Sequence, residues 1–303
     1  MAAPDHLDAF RKGPDVWARF LPSIDGDPDL SGESFAGEEL RQTTLRGADL
    51  SRCDFTGADL RDGDLRKAIL TEASFDAADL VMANLGRAQG LGASFRECRL
   101  DGATLWKFNA SGAGFRDAKL IRAGAASARL ERCDFRGADL AEAIFERARL
   151  RGASFEDAKL DGAILRGADL RDVRWRGALL RDAVLDGAKL SPETFDPSEL
   201  AGASLRGATL EGARFAERVL VGVDFSGCGL VGASFTDADL HDSVFDGADL
   251  SSADLSGAVG VTRPQLDAAA SLEGAILPDM MGAPLSERER EVTGNVIRLV
   301  RKS

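Results

Sequence analysis

The stretch Leu45-Arg46-Gly47-Ala48-Asp49-Leu50-Ser51-Arg52-Cys53-Asp54-Phe55-Thr56-Gly57-Ala58-Asp59-Leu60 decides the fold. A large apolar residue returns every fifth position, and a small residue stands two places before it. Extended outward, this spacing holds from Leu30 to Leu255 without an insertion or deletion. Of the 46 positions divisible by five in that span, 43 hold Leu, Phe or Trp, the exceptions being Gly90, Ala110 and Ala125. The position two before each centre is Ala in 30 of the 46, and it also holds all four cysteines, Cys53, Cys98, Cys133 and Cys228. That placement predicts small buried core fillers rather than metal ligands or redox groups. The cysteines form no C-x-x-C pair, which argues the same way.

A period of five suits no straight element. Five residues of α-helix advance 500°, which would wind the apolar positions around the surface. On a flat strand an odd period would put successive centres on opposite faces. Both conflicts vanish if the chain turns a corner every five residues. The small residue and the centre then point inward, the residue between them points outward, and the two residues after the centre form the corner. Gly fills 21 of the second corner positions, as expected where the backbone needs freedom.

A second period sets the size of the coil. Positions 35, 55, 75, 95, 115, 135, 155, 175, 195, 215 and 235 are all aromatic, Trp175 among ten Phe. An aromatic at every fourth centre predicts four five-residue units per coil, with ring over ring along one side. The expected architecture is an all-β solenoid of about eleven square coils, on the order of 55 Å long at ~4.8 Å per stacked strand. Each coil buries its apolar slots only against its neighbours, so the ends need covers.

The tandem units Ala48-Asp49-Leu50, Ala58-Asp59-Leu60 and Ala168-Asp169-Leu170 resemble the pentapeptide-repeat family, and the resemblance extends over about three quarters of the chain. It implies a right-handed quadrilateral β-helix, found mostly in bacterial cytosolic proteins and usually without catalytic activity. The best understood members are similar to a B-DNA duplex in width and charge, bind DNA gyrase, and protect it from quinolones or peptide toxins. Pro28-Asp29-Leu30-Ser31-Gly32 resembles a common entry into such solenoids. Val261-Thr262-Arg263-Pro264-Gln265-Leu266-Asp267, with Leu277-Pro278, resembles a common exit segment.

Three segments follow: residues 1–29 as an N-terminal helical cap, 30–257 as the solenoid, and 258–303 as an exit segment with a terminal helix. In the first, Asp5 and Asp15 are expected to cap two short helices carrying Leu7 and Phe10, then Trp17, Phe20 and Leu21. In the last, Ser286 and Glu289 have capping-box spacing. Val292, Val296, Leu299 and Val300 fall at helical spacing and suggest a lid on the last coil or a dimer contact.

No catalytic constellation is visible, so the sequence predicts a non-enzyme without metal or cofactor. His6 and His241 have no nucleophile to partner, and the Gly-rich stretches lack a following Gly-Lys-Ser/Thr. A net charge of −12 argues against direct nucleic-acid binding. No apolar run approaches the ~18 residues that span a bilayer. The first ten residues lack a basic start followed by an apolar stretch, so a cytoplasmic location is expected.

Function must then reside outward. Residues 183–257 hold 13 acidic and 4 basic residues, including Asp237, Asp239, Asp242 and Asp246, whereas residues 111–182 hold 12 and 15. The acidic end fits a basic partner such as a topoisomerase, or simply solubility. Ile144, Ile164 and Val184 stack outward on successive coils, with Trp106 on the same side. They are candidates for a protein-docking stripe, or for a β-branched ladder that stabilises the stack. Two irregular places are also visible. Gly90 and Ala110 leave a gap that Phe108 is positioned to fill. Pro192-Glu193-Thr194-Phe195-Asp196-Pro197, with Arg218 nearby, predicts a bulge with side chains turned out rather than a buried ion pair. The leading expectation is a non-catalytic interaction scaffold, and the alternative is a gyrase-binding DNA mimic.

Overall fold

The fold is built from corners. The computed structural model describes residues 3–196 and 198–278, together with the backbone of Val292–Thr293 and Val296–Ile297. From Asp29 onward, residues 20 apart form parallel bridges, as in Asp134↔Ser154 and Ile144↔Ile164, and the four bridge positions of each 20-residue coil give it four sides. Each side contributes one bridge residue between corners, so no side amounts to a regular strand.

Backbone hydrogen bonding shows why five residues suffice per side. At the repeat centred on Phe135, the N–H of Ala138 closes a turn on the carbonyl of Phe135 at 3.0 Å. The N–H groups of Phe135 and Gly137 reach the next coil at Ser154 and Glu156, and that of Asp134 reaches back to Ala113. Only the first corner residue, Arg136, lacks a backbone acceptor. Its N–H is taken instead by Asp134 Oδ1 at 3.1 Å. Asp49, Asp54, Asp79, Asp224, Asp249 and Asp254 accept from the residue two places on in the same way. The Asp of the repeat therefore satisfies the one donor that the coil leaves over.

The second corner residue has positive φ as the turn requires, and 23 such positions are not Gly. Arg52, Glu72 and Asp117, at φ 57°, 59° and 57°, carry the steric cost of the left-handed region. Gly92, at φ +65°, has open space where a Cβ would stand, so a side chain there meets only backbone strain. Glu72→Gly is expected to raise stability by about 0.5–1 kcal/mol and Gly92→Ala to lower it by about 1 kcal/mol, read as shifts of the urea midpoint.

Inside, the Phe column stacks at strand spacing. Ring centroids lie 5.0 Å apart from Phe55 to Phe75, 4.9 Å from Phe115 to Phe135, and 5.1 Å from Phe135 to Phe155. Phe108 fills the expected gap: it is buried edge-on against Phe95, and a Cβ added at Gly90 would lie 2.9 Å from its Cζ. The aromatic column turns edge-on at Phe195, at 85° to both Trp175 and Phe215. Pro192 occupies the second corner there and cannot adopt positive φ, so the corner opens into a turn closed by Phe195 N–H on Ser191. Glu193 is exposed, and Arg218 pairs with the exposed Asp196 instead of entering the core.

At the N-terminal end, helix α1 (Pro4–Arg11) and helix α2 (Pro14–Phe20) pack on the first coils. Phe10 meets Phe35 at 4.9 Å, and Trp17 Nε1 donates to the Thr44 carbonyl at 2.7 Å. Asp5 and Asp15 do not cap these helices. Pro takes the first helical position of each, the cap positions fall to Ala3 and Gly13, and the two Asp lie in the first turns, where the helix dipole favours an anion. Leu21 belongs to a short 3-10 turn (Leu21–Ser23) rather than to α2.

At the other end the ladder continues past residue 257. Helix α3 (Arg263–Asp267) is followed by the bridges Asp249↔Ser271 and Asp254↔Ile276, which are offset by 22 residues instead of 20. Further on, Val292–Thr293 (β1) and Val296–Ile297 (β2) pair antiparallel, so Val292 and Val296 do not stand on a helix. β-branched pairs on both sides of Gly294-Asn295 have the composition of a hairpin, and this outweighs the helical spacing. Ser286, Glu289, Leu299 and Val300 lie outside the described residues.

Candidate functional site

With the centres turned inward, the outward residues and corners carry whatever chemistry the chain has. All four cysteines are free and buried. The Sγ of Cys53, Cys133 and Cys228 donates to a carbonyl 23 residues earlier, at 2.9–3.0 Å. Burial pushes the thiols up, Cys53 to about 11 and Cys133 and Cys228 to about 12. Thiolate is the reactive form, so all four are expected to resist iodoacetamide at pH 8 in the folded chain and to react once it is unfolded in urea, as counted by intact mass.

Among the described residues, no three His, Cys, Asp or Glu side chains are placed to hold a metal, and no helix is long and apolar enough to cross a membrane. His241 Nδ1 lies 2.6 Å from Asp239 Oδ1, and this hydrogen bond with the His241 N–H lowers the Asp239 carboxyl below its usual range. The same Asp239 serves its corner like the other repeat Asp residues.

The structure disperses the acidic candidates. Asp237, Asp242 and Asp246 stand at three successive corners and Asp239 on the side between the first two, so the four are spread over half a coil instead of forming one patch. Ile144, Ile164 and Val184 do join in one ladder. Ile144 is 37% exposed, and the other two are half-buried.

Trp106 occupies a corner, at the end of the side that carries this ladder, and is 40% exposed. Arg87 and Lys107 lie over its ring, at 4.7 and 4.5 Å from the centroid. An open cleft of about 310 Å³ runs beside it, lined also by Arg46, Arg66, Lys67, Asn84 and Thr104. Asp64 is the carboxylate at this place. Its hydrogen bond from Arg66, with Arg46 nearby, holds it below the usual range against the opposing effect of burial. The sequence flagged Trp106 but not its cationic surroundings, which become visible only when residues 20 apart are laid over one another.

A family model described as pentapeptide repeats (8 copies) matches overlapping segments across 34–137 and 198–257, more than half of the chain, and a pentapeptide repeat region model matches 128–205. Among solved structures the chain is similar to HetL, a pentapeptide repeat protein involved in heterocyst differentiation regulation from the cyanobacterium Nostoc sp. Strain PCC 7120. The identity is 27% over 88% of this chain and 97% of that one, with a TM-score of 0.29. It is similar also to full-length QnrB1, a plasmid-mediated fluoroquinolone resistance protein, with 25% identity over 59% and 90% and a TM-score of 0.32. A thylakoid-lumen pentapeptide repeat protein of Arabidopsis thaliana is 32% identical over 39% and 68%, with a TM-score of 0.13. No curated protein matches the chain.

Proposed function

Because the chain belongs to the pentapeptide-repeat family, we propose that it is a non-catalytic scaffold that binds a protein partner through its outward faces. The observation that carries this reading is the complete use of the repeat centres as core: Leu, Phe and Trp at these positions are buried from Leu30 to Leu255, while Trp106 stands exposed at a corner. An exposed Trp among fixed cations has the character of an interface anchor. In the same reading the coil is right-handed with about eleven turns, residues 1–29 cover its first edge, residues 258–303 close the far end or pair two copies, and the protein resides in the cytoplasm. Free, unpaired thiols fit a reducing compartment.

The alternative, a DNA mimic that binds a topoisomerase, is favoured by the excess of acid in residues 183–257. Against it stands the local duty of many of these carboxylates, which satisfy corner N–H groups. One experiment separates the two readings. The purified chain is added to a DNA gyrase supercoiling reaction inhibited by a quinolone, and in parallel the tagged chain and its Trp106→Ala variant are used to isolate partners from native cells. Scaffold function predicts a partner retained by the wild type, depleted with the variant, and no rescue of supercoiling. Rescue at stoichiometric protein would replace the scaffold reading with the mimic.

A further inference from the structure

The geometry points to the corner beside Trp106 as a binding site for an acidic peptide segment. This inference deepens the scaffold reading and rests on it, since it names the chemistry of the partner.

Corners at 46–47, 66–67, 86–87 and 106–107 lie over one another, and they bring Arg46, Arg66, Lys67, Arg87 and Lys107 together on a chain whose net charge is −12. No acid occupies these corners. Of the two adjoining sides, one reads Thr44, Asp64, Asn84, Thr104 and the other Asp49, Ile69, Gln89, Asn109, each with one carboxylate in four coils. Only Arg66 is neutralised, by Asp64 at 2.6 Å; the other four cations form no ion pair with a described residue. Five cations thus stand against two carboxylates, Asp64 and Asp49, and four of the five, Arg46, Arg66, Lys67 and Arg87, line a cleft of about 310 Å³.

Two features select the ligand. Arg87 and Lys107 rest on the Trp106 ring, so their heads are positioned before anything binds and lose less freedom on binding. Guanidinium groups take carboxylates in pairs of parallel hydrogen bonds. The positive column is also short: Asp27 beside Gly47 closes it at one end, and at the other it stops at the uncharged corner Ala126-Ser127. The run of cationic corners from Arg46 to Lys107 spans four coils, a length that a few consecutive Asp or Glu residues match. With cations laid over the indole, the ring serves to hold charge rather than to stack a base.

The test uses the full chain. Fluorescein-labelled hexaglutamate is titrated with the protein at low salt and followed by anisotropy, and emission is followed at Trp106, the one exposed Trp among three. Binding is expected, weakening as salt is raised. The double variant Lys67→Glu, Arg87→Glu should bind about tenfold more weakly or worse. Trp106→Ala should weaken binding by a smaller factor, and the control Arg129→Glu, Arg132→Glu should leave it unchanged. Absence of hexaglutamate binding, or equal losses in the control, overturns the assignment. So does displacement of the peptide by six-nucleotide thymidine oligomer, or by inorganic phosphate, at the peptide's own concentration. A cellular partner that stays bound to the Lys67→Glu, Arg87→Glu chain would remove this site while leaving the scaffold reading intact. Hexaglutamate binding with no cellular partner at all would do the reverse.

Discussion

Replacing Phe135 with alanine is expected to destabilise the folded chain by about 3–5 kcal/mol, the range for deleting a buried phenyl ring. The ring is fully buried, lies parallel to Phe115 at 4.9 Å and to Phe155 at 5.1 Å, and meets Phe145 edge-on at 6.2 Å. Its loss leaves a cavity between two coils, and neither neighbour can close it, because each is fixed at strand spacing by its own backbone bonds. In a stack where every coil is stabilised by its neighbours, a weakened junction in the middle separates the two halves energetically. Trp106→Ala supplies the contrast. That ring is partly exposed and contributes chiefly its contacts with Arg87 and Lys107, worth about 1 kcal/mol or less at such a site. Urea unfolding of both variants decides the matter: similar midpoint losses would refute the division of residues into inward centres and outward corners.

That division was legible before any coordinates because the repeat is unbroken. A period of five forces a corner, and a period of twenty in the aromatic residues fixes four sides; the bridges at i, i+20 and the stacked rings follow from these two numbers. The burial of Cys53 and its three counterparts was legible for the same reason, as was the packing of Phe108 against Gly90. What escaped lies where several local solutions compete. Asp5 and Asp15 look like helix caps by residue type, yet Pro4 and Pro14 take the first helical positions and move the cap back by two residues. Val292 and Val296 have helical spacing, but β-branching around Gly294-Asn295 favours an extended pair. The repeat Asp read as surface charge, although its carboxylate completes the hydrogen bonding of the following corner. The positive cleft escaped because its cations are twenty residues apart and sit in corners, where Arg and Lys read as solvated surface.

The second large effect concerns the place where the repeat departs from its own rule. Elsewhere a large centre is paired with a small residue two positions earlier. At the irregular coil the roles are exchanged: Gly90 and Ala110 are the centres and Phe108 holds the small slot. Phe108→Ala alone should cost about 3–5 kcal/mol, since it leaves Gly90, Ala110 and the new alanine around an unfilled volume. Gly90→Leu alone should also destabilise, by about 1–3 kcal/mol, because its first carbon would already fall 2.9 Å from Phe108 Cζ and 3.2 Å from Cε2. Combined, the two changes restore the ordinary pattern of Leu at the centre and Ala two before a centre, and the leucine enters the space that the phenyl ring has vacated. The double variant is therefore expected to be more stable than either single one, with a coupling of about 2 kcal/mol or more. Denaturation of all four members of the cycle measures it directly. Additive losses would mean that Phe108 does not occupy the volume of the missing centre side chain, and the packing assigned to this coil would have to be abandoned.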